Sequence, residues 1–171
     1  MAKETGATIV YGPLANPTFE ALIAKDGQEF KLGDLTFVTL HTPGHTMEST
    51  TFLLREAQGK DHAIFSGDTL FLGDVGRPDL AQKAAHMTQE DLAGTLFDSL
   101  RTKIMPLADS ITVYPAHGAG SACGKNMMKE TVDSLGNQKK MNYALRADMT
   151  KEEFIKEVTD GLMPPPKYFP T

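Results

Sequence analysis

The sequence has little cysteine, no tryptophan, no excess of basic residues and no long apolar run in its 171 residues. Its single cysteine, Cys123, cannot form an internal disulfide, which favours a reducing compartment. The formal charge of −5 argues against a nucleic-acid-binding surface, because such a surface needs a basic patch. The longest apolar stretches, such as residues 35–40, are too short to cross a bilayer.

The beginning of the sequence lacks two further features. Residues 1–6 have no apolar core of the kind found in signal peptides, so we expect a soluble, cytoplasmic protein without a membrane or nucleic-acid partner. They also offer only about one helical turn before Gly6, and no capping residue precedes it. Two interpretations remain open: a frayed terminal helix, or the end of an element that begins upstream.

Local patterns predict a mixture of strands and helices. Short β-branched runs predict strands at residues 7–11, 35–40, 49–54, 63–65 and 111–114. Periodic apolar residues and capping signals predict helices at residues 88–105, 124–135 and 150–158. Since strands and helices do not alternate strictly, the pattern indicates an α/β or α+β layered sandwich. We expect the chain to form one domain over residues 1–160, followed by a proline-rich extended tail over 161–171.

Two of the five histidines occupy positions that suit a metal ligand. His45 in "TPGHT" and His117 in "YPAHG" each follow a strand end and a turn that contains proline. Such a rigid turn would hold the imidazole in place before a metal binds. The other three are expected at a strand end, in a polar turn and on the solvent-facing surface, in that order: His41, His62 and His86.

Asp68 in "FSGDTLF" is the acidic candidate. It follows an apolar strand at a turn of small residues, which is compatible with a simple turn-forming aspartate. With His45 as a neighbour, it could instead form a histidine–carboxylate metal site, where the metal would offset the cost of burying the charge. Two histidines and one carboxylate suit mononuclear Fe(II), but zinc hydrolases use similar ligands. The ligand types leave the choice between iron and zinc open.

Two further motifs lie close to these candidates in the sequence. In "GDVGRPDL", Arg77 and Asp79 flank a proline, so they either support the Asp68 loop or form a plain surface ion pair. In "GSACGK", Cys123 is either a nucleophile whose pKa Lys125 lowers, or a small buried residue in a glycine-rich turn. No phosphate-binding glycine motif occurs, so nucleotide binding has no support.

Together, "HTPGHT", "FSGDTLF", "GDVGRPDL" and "VYPAHGAGSACGK" resemble the metallo-β-lactamase superfamily. Within it they are most similar to bacterial persulfide dioxygenases that are fused to rhodanese domains, which are relatives of glyoxalase II. The resemblance covers essentially the whole chain and implies an αββα sandwich. The ending "LMPPPKYFP" is similar to the segment that leads towards the rhodanese domain, so the tail is interpreted as a possible linker.

By position, the resemblance implies that His45 and Asp68 are metal ligands. His117 matches the histidine that binds a second metal in glyoxalase II, whereas in the one-iron dioxygenases this position lies near the metal without binding it. The resemblance implies Fe(II), with Zn as the other possibility. The implied substrates are O2 and the persulfide of glutathione or a similar small thiol, and the implied products are sulfite and the thiol.

One departure from the family is large: the sequence contains no HxHxDH motif. We therefore expect an incomplete sandwich that lacks its N-terminal strands, through truncation or a start assigned too late. Because ligand number drives metal affinity, we expect the chain alone to be inactive, with weak or absent metal binding. Missing strands would also leave an apolar face or a sheet edge open, which favours a homo-oligomer.

Three functions follow from these patterns. The first is a mononuclear iron persulfide dioxygenase, of which this chain is the C-terminal portion. The second is a metal-dependent thioester hydrolase of the glyoxalase II type, which needs His117 as a ligand. The third is a non-catalytic scaffold or interaction domain, which the missing HxHxDH motif suggests.

Overall fold

The computed structural model describes residues 1–165 and contains a mixed sheet of six strands with helices packed on one face. The strands are β1 (Val10–Tyr11), β2 (Leu22–Ile23), β3 (Glu29–Leu32), β4 (Leu35–His41), β5 (Thr50–Arg55), β6 (Asp61–Gly67), β7 (Leu70–Phe71), β8 (Asp74–Val75), β9 (Thr112–Pro115) and β10 (Asp133–Ser134). The helices are α1 (Ala2–Thr5), α2 (Gln82–Ala85), α3 (Gln89–Ser99), α4 (Leu135–Met141) and α5 (Lys151–Thr159). A π-helical turn spans Leu100–Ile104 and a 3₁₀ turn spans Tyr143–Leu145. None of these helices is long and apolar enough to span a membrane.

The order of the strands brings several loops to one edge of the sheet. The sheet runs β10-β9-β6-β5-β4-β3, with β3 to β6 as an antiparallel meander and β9 parallel to β6. Strands β4, β6 and β9 therefore point in the same direction, and their carboxyl ends meet at the same edge. The loops that follow them carry, in order, His45, Asp68 and the segment from His117 to Cys123.

The main core lies between one face of the sheet and the helices. Alternate strand residues supply one side of this core: Val38, Leu53, Ile64 and Val113. The predicted helix over 88–105 supplies much of the other side. Its apolar residues recur every four positions and are completely buried: Leu92, Leu96, Leu100 and Ile104. The predicted helix over 88–105 thus exists, but its last turn widens into the π-helical turn, where Met105 N donates to Leu100 O at 2.9 Å.

The opposite face of the sheet stays partly open within the described residues. Phe65 and Tyr114 stack at 5.4 Å between ring centroids, and each keeps about two fifths of its surface exposed (40% and 39%). Phe37 lies beside Phe65 with 6.1 Å between centroids. A groove of about 760 Å³ separates part of this face from the backbone around Val10. The apolar face expected from the sequence is therefore present.

The predicted helix over 124–135 is wrong. Backbone groups of this segment bond to distant residues instead of to each other: Asn126 N donates to Asp74 Oδ2 at 2.7 Å, and Met128 N donates to Leu72 O at 2.8 Å. These tertiary contacts hold the segment as a loop, and the helix starts only at Leu135. The predicted strand over 7–11 is shorter than expected and covers only Val10–Tyr11.

The helix predicted over 150–158 is α5, which runs from Lys151 to Thr159. Thr150 Oγ1 accepts a hydrogen bond from Glu153 N at 3.2 Å, and the Glu153 carboxylate accepts one from Thr150 N at 2.9 Å. Of the predicted tail, residues 166–171 lie outside the described part of the chain. The division into a domain and a linking tail stays a prediction.

Candidate metal centre

His45 is held at the carboxyl edge of the sheet by the loop between β4 and β5. Gly44 precedes it with φ 148°, and a Cβ at this glycine would come within 2.5 Å of the Leu96 backbone, so only glycine fits there. Ser99 Oγ donates to Pro43 O at 2.7 Å and ties the same loop to α3. The Pro-Gly turn therefore presses the loop against the helix and fixes the direction of the next side chain.

The environment of His45 also fixes which ring nitrogen is free. His45 is only 8% exposed, and its Nδ1 lies 2.8 Å from Arg77 O. Because a carbonyl oxygen only accepts, Nδ1 carries a proton, and in the neutral imidazole the lone pair therefore lies on Nε2. A hydrogen bond from the other ring nitrogen to a backbone carbonyl is what commonly orients metal-binding histidines. His45 is thus prepared to bind a metal through Nε2.

Asp68 follows β6 and directs a carboxylate oxygen into the same region. Its Oδ1 atom is buried and has no hydrogen-bond partner. His117 Nε2 lies 3.1 Å from this oxygen, which is within ion-pair distance, but the geometry does not meet hydrogen-bond criteria. A buried carboxylate oxygen without a partner is costly, and a bound cation removes that cost. The simple turn-forming interpretation of Asp68 does not account for this oxygen.

Cys123 joins these two residues. One ligand atom from each of His45, Asp68 and Cys123 lies within 4.8 Å of the others. The sequence offered no local signal for this, because Cys123 lies 55 residues beyond Asp68 and is reached through the β6–β9 crossover. To predict that Cys123 lies near Asp68, one would need to know that β6 and β9 pair in parallel.

Arg77 connects the histidine loop to the cysteine loop. Its carbonyl oxygen accepts from the His45 ring, and its backbone nitrogen donates to Cys123 O at 2.9 Å. Its guanidinium donates to both carboxylate oxygens of Asp79 at 2.7 Å and to Ala122 O at 3.3 Å. Arg77 is 4% exposed and the Asp79 side chain 12%, so this is a buried clamp and not a surface ion pair. The clamp therefore connects the loops that carry His45 and Cys123, and its role in a metal site stays a prediction.

The packing around Gly76 brings the clamp into direct contact with both candidate ligands. A Cβ on Gly76 would lie 1.9 Å from Asp68 O and 2.9 Å from His45 Cγ. Glycine is required here for close approach, since its backbone dihedrals are ordinary. The "GRPD" turn therefore fills the space behind the two side chains.

Asp74 is a functional support that the sequence reasoning missed. It is 1% exposed, and its carboxylate accepts from the backbone nitrogens of Lys125 and Asn126 and, at 2.8 Å, from Tyr143 Oη. Burial, and then the nearby Asp74 charge, raise the pKa of the Tyr143 phenol far above its ordinary value, so this hydroxyl remains a donor. Asp74 thus anchors the loop directly after Cys123. The one sequence feature that could have pointed to this role is the position of Asp74 two residues before Gly76, in the same motif as Arg77.

The remaining histidines lie away from the cluster. His41 Nε2 lies 2.8 Å from Met47 O and braces the loop that carries His45. His62 pairs with Glu56 at 2.9 Å, and His86 is an exposed residue at the end of α2. His41 at the end of β4 and the exposed His86 agree with the sequence expectations, whereas His62 lies in β6 and not in the predicted polar turn.

A protein of known structure shares this fold. The chain superimposes on a crystal structure of a metallo-β-lactamase from Staphylococcus aureus with a TM-score of 0.83 and 31% identity. The match covers 98% of this chain and 50% of that one. The chain belongs to the metallo-β-lactamase superfamily. Its α/β architecture is the corresponding part of the metallo-β-lactamase fold.

Curated relatives of this metallo-β-lactamase-fold chain carry names of two enzyme classes. The mitochondrial persulfide dioxygenase ETHE1 of Homo sapiens is 29% identical over 144 residues, which is 84% of this chain and 48% of that protein. The hydroxyacylglutathione hydrolase GloC of Haemophilus influenzae is 34% identical over 101 residues, or 59% of this chain and 42% of that protein. The chain spans about half the length of the curated relatives it matches. No family model matches it. Membership of the superfamily implies a metal cofactor without identifying the metal.

Proposed function

We propose that this chain belongs to a mononuclear iron persulfide dioxygenase. The observation that carries the proposal is a single cluster of ligand atoms, formed by His45, Asp68 and Cys123. His117 touches this cluster only at Asp68 and is not a member of it. Such an arrangement fits one metal better than the two-metal hydrolytic centre, which needs His117 as a ligand.

The residues present fit a divalent cation. His45 offers the Nε2 lone pair, and Asp68 offers a buried oxygen that accepts no hydrogen bond from the described residues. These two residues would hold the metal, and Fe(II) in a site with open positions supplies the O2 chemistry of this enzyme class. The second histidine of a two-histidine, one-carboxylate set is not part of the cluster that the described residues form.

The proposed reaction converts a thiol persulfide, O2 and water into the thiol, sulfite and two protons. The sulfur–sulfur bond breaks, and the outer sulfur is oxidised by four electrons, which reduce O2. The thiolate sulfur keeps its oxidation state and leaves with a proton. The chain's own contribution is to orient the ligands and to keep water out, through the buried His45 and the clamp at Arg77.

The second candidate is a thioester hydrolase of the glyoxalase II type. The sequence identity to GloC favours it, and so does the 3.1 Å approach of His117 to Asp68, which one further metal could bridge. The alignment to the persulfide dioxygenase nevertheless covers 84% of the chain, against 59% for the hydrolase. We therefore rank the dioxygenase first.

The test compares the two reactions on the full-length gene product that contains this chain, loaded with iron or with zinc. We expect O2 uptake with glutathione persulfide, with one sulfite formed for each O2 consumed, in the iron-loaded protein. Hydrolysis of a hydroxyacylglutathione thioester should stay at background. His45→Ala should abolish O2 uptake, whereas His62→Ala, at a surface pair, should leave it unchanged.

Each other outcome has a clear meaning. Thioester hydrolysis without O2 uptake would replace the proposal by the hydrolase. Neither activity in either metal form would favour the non-catalytic scaffold. Full O2 uptake in His45→Ala would show that the reaction takes place elsewhere.

A further inference from the structure

Cys123 gives the cluster a third ligand type that the proposed function does not need. Weak metal binding is expected from the sequence because only two ligands, His45 and Asp68, were considered. In the structure, a thiol sulfur lies within 4.8 Å of the ligand atoms of both. Cys123 is the sole cysteine of the chain and is partly buried. The question is whether this proximity is a by-product of packing or forms a binding site.

The distances suit coordination of one ion. Ligand atoms about 2.0–2.3 Å from one zinc ion lie roughly 3.5 Å from each other in a tetrahedral site. The widest separation that this 4.8 Å limit allows between the sulfur, nitrogen and oxygen atoms would have to close by about 1.3 Å.

The other two members of the cluster each present an atom that suits a cation. His45 is more than nine-tenths buried, and the bond from Nδ1 to Arg77 O leaves the lone pair of the neutral imidazole on Nε2. Asp68 contributes the buried oxygen that has no hydrogen-bond partner. A ring nitrogen with a lone pair and a buried carboxylate oxygen that accepts no hydrogen bond within the described residues are features of a cation site.

The backbone around Cys123 is fixed on both sides. Arg77 N donates to Cys123 O, and Cys123 N donates to Ser121 Oγ at 3.2 Å. The buried Asp74 carboxylate binds the nitrogens of Lys125 and Asn126, directly after the cysteine. A loop with this many restraints holds its sulfur in a defined place, as a preorganised ligand requires.

The alternative role of Cys123, as a nucleophile activated by Lys125, has no support in the contacts. Lys125 Nζ donates to the carbonyl oxygens of Glu157 and Asp160 and lies 5.5 Å from the centroid of the Tyr143 ring. The ammonium group of Lys125 therefore contacts the end of α5 and the 3₁₀ turn, and these contacts do not involve Cys123. The structure instead places ligand atoms of His45 and Asp68 within 4.8 Å of the sulfur.

We propose that Cys123 is a metal ligand, and that His45, Asp68 and Cys123 form a three-ligand site for a thiophilic divalent cation such as Zn(II). Three protein ligands with a fourth position open are the usual arrangement of catalytic zinc sites. The inference goes beyond the proposed function and does not depend on it, because it concerns binding by this chain and not the reaction.

The test uses Co(II) and Zn(II) with the 171-residue chain. We expect one Co(II) per chain, with an intense sulfur-to-metal charge-transfer band in the near ultraviolet. Zn(II) affinity, measured by competition with a chromophoric chelator, should fall at least about tenfold in Cys123→Ser. His62→Ala is the matched control and should bind both metals like the original chain.

A second measurement needs no variant. Because the chain has one cysteine, alkylation by iodoacetamide reports Cys123 alone. We expect one equivalent of Zn(II) to slow the alkylation at least about tenfold, and a chelator to restore the rate. Bound Co(II) without the charge-transfer band, alkylation that Zn(II) does not slow, or no metal bound would each overturn the proposal. Failure of O2 uptake would leave it standing.

Discussion

At the scale of single residues, the site depends on partners that share no local pattern. Arg77 contacts His45 and Cys123 through its backbone and Asp79 through its guanidinium. From the sequence, "GRPD" suggested support for the Asp68 loop but not which atoms it would hold. The ligand candidates themselves could be read from strand ends and turns. Cys123 could not, because its neighbours depend on how distant strands pair.

Asp79→Ala is expected to destabilise the chain strongly. The Arg77 guanidinium would remain buried without its charge partner, and loss of one partner of a buried pair costs about 3–5 kcal/mol. Urea denaturation followed by circular dichroism measures the change. The control is Asp148→Ala, which removes one partner of the exposed pair with Arg146 and should leave the midpoint unchanged. Equal midpoints for the two variants would show that the clamp contributes no stability.

At the scale of elements, helices whose capping hydrogen bonds join residues close in the sequence could be predicted. The helices that start after Thr88 and Thr150 each carry a capping box that is visible in the sequence. The segment over 124–135 could not be predicted, since the Asp74 carboxylate that captures its backbone lies about 50 residues earlier in the chain. Tertiary hydrogen bonds there override a local helical preference.

The 3₁₀ turn at Tyr143–Leu145 leads to a prediction about alkaline pH. The pKa of Tyr143 is raised in the folded chain, mainly by burial and then by Asp74. Above the ordinary tyrosine pKa of about 10, the unfolded chain loses this proton while the folded chain keeps it. Stability should therefore decrease as pH rises above about 10.

Tyr143→Phe tests this effect. The variant should lose less stability than the original chain between pH 9 and about 11.5, as measured by urea denaturation at several pH values. At neutral pH the variant should be less stable by about 1–2 kcal/mol, because Asp74 Oδ1 loses a hydrogen bond. Parallel pH profiles for the two chains would contradict the assignment. Tyr11→Phe, at a tyrosine 41% exposed, is the control and should leave the profile unchanged.

At the scale of the whole molecule, the fold class and the site follow from one arrangement. Three strands that point the same way bring their carboxyl ends, and therefore the candidate ligands, to one edge of the sheet. The motifs were enough to suggest the superfamily from the sequence. The metal, the substrate and any rhodanese domain stay predictions, as does the cytoplasmic location.

The open face of the sheet offers a test of the predicted homo-oligomer. Phe65 and Tyr114 stack there, each about two fifths exposed, and apolar faces of this kind favour association. Light scattering of the 171-residue chain should give a mass above 18.6 kDa. Phe65→Lys should shift the mass towards the monomer, whereas Met141→Lys, at an exposed apolar residue of α4 away from the groove, is the control and should leave the mass unchanged. A monomeric original chain at high concentration would contradict the prediction.

The central claim is that His45 and Asp68 bind the metal. Its most direct test is anomalous diffraction, at the absorption edge of the metal, from crystals of the metal-loaded protein. The account predicts an anomalous peak about 2.0–2.2 Å from both His45 Nε2 and an Asp68 carboxylate oxygen. A peak bound to other residues, with Asp68 Oδ1 and His45 Nε2 still free, would contradict it.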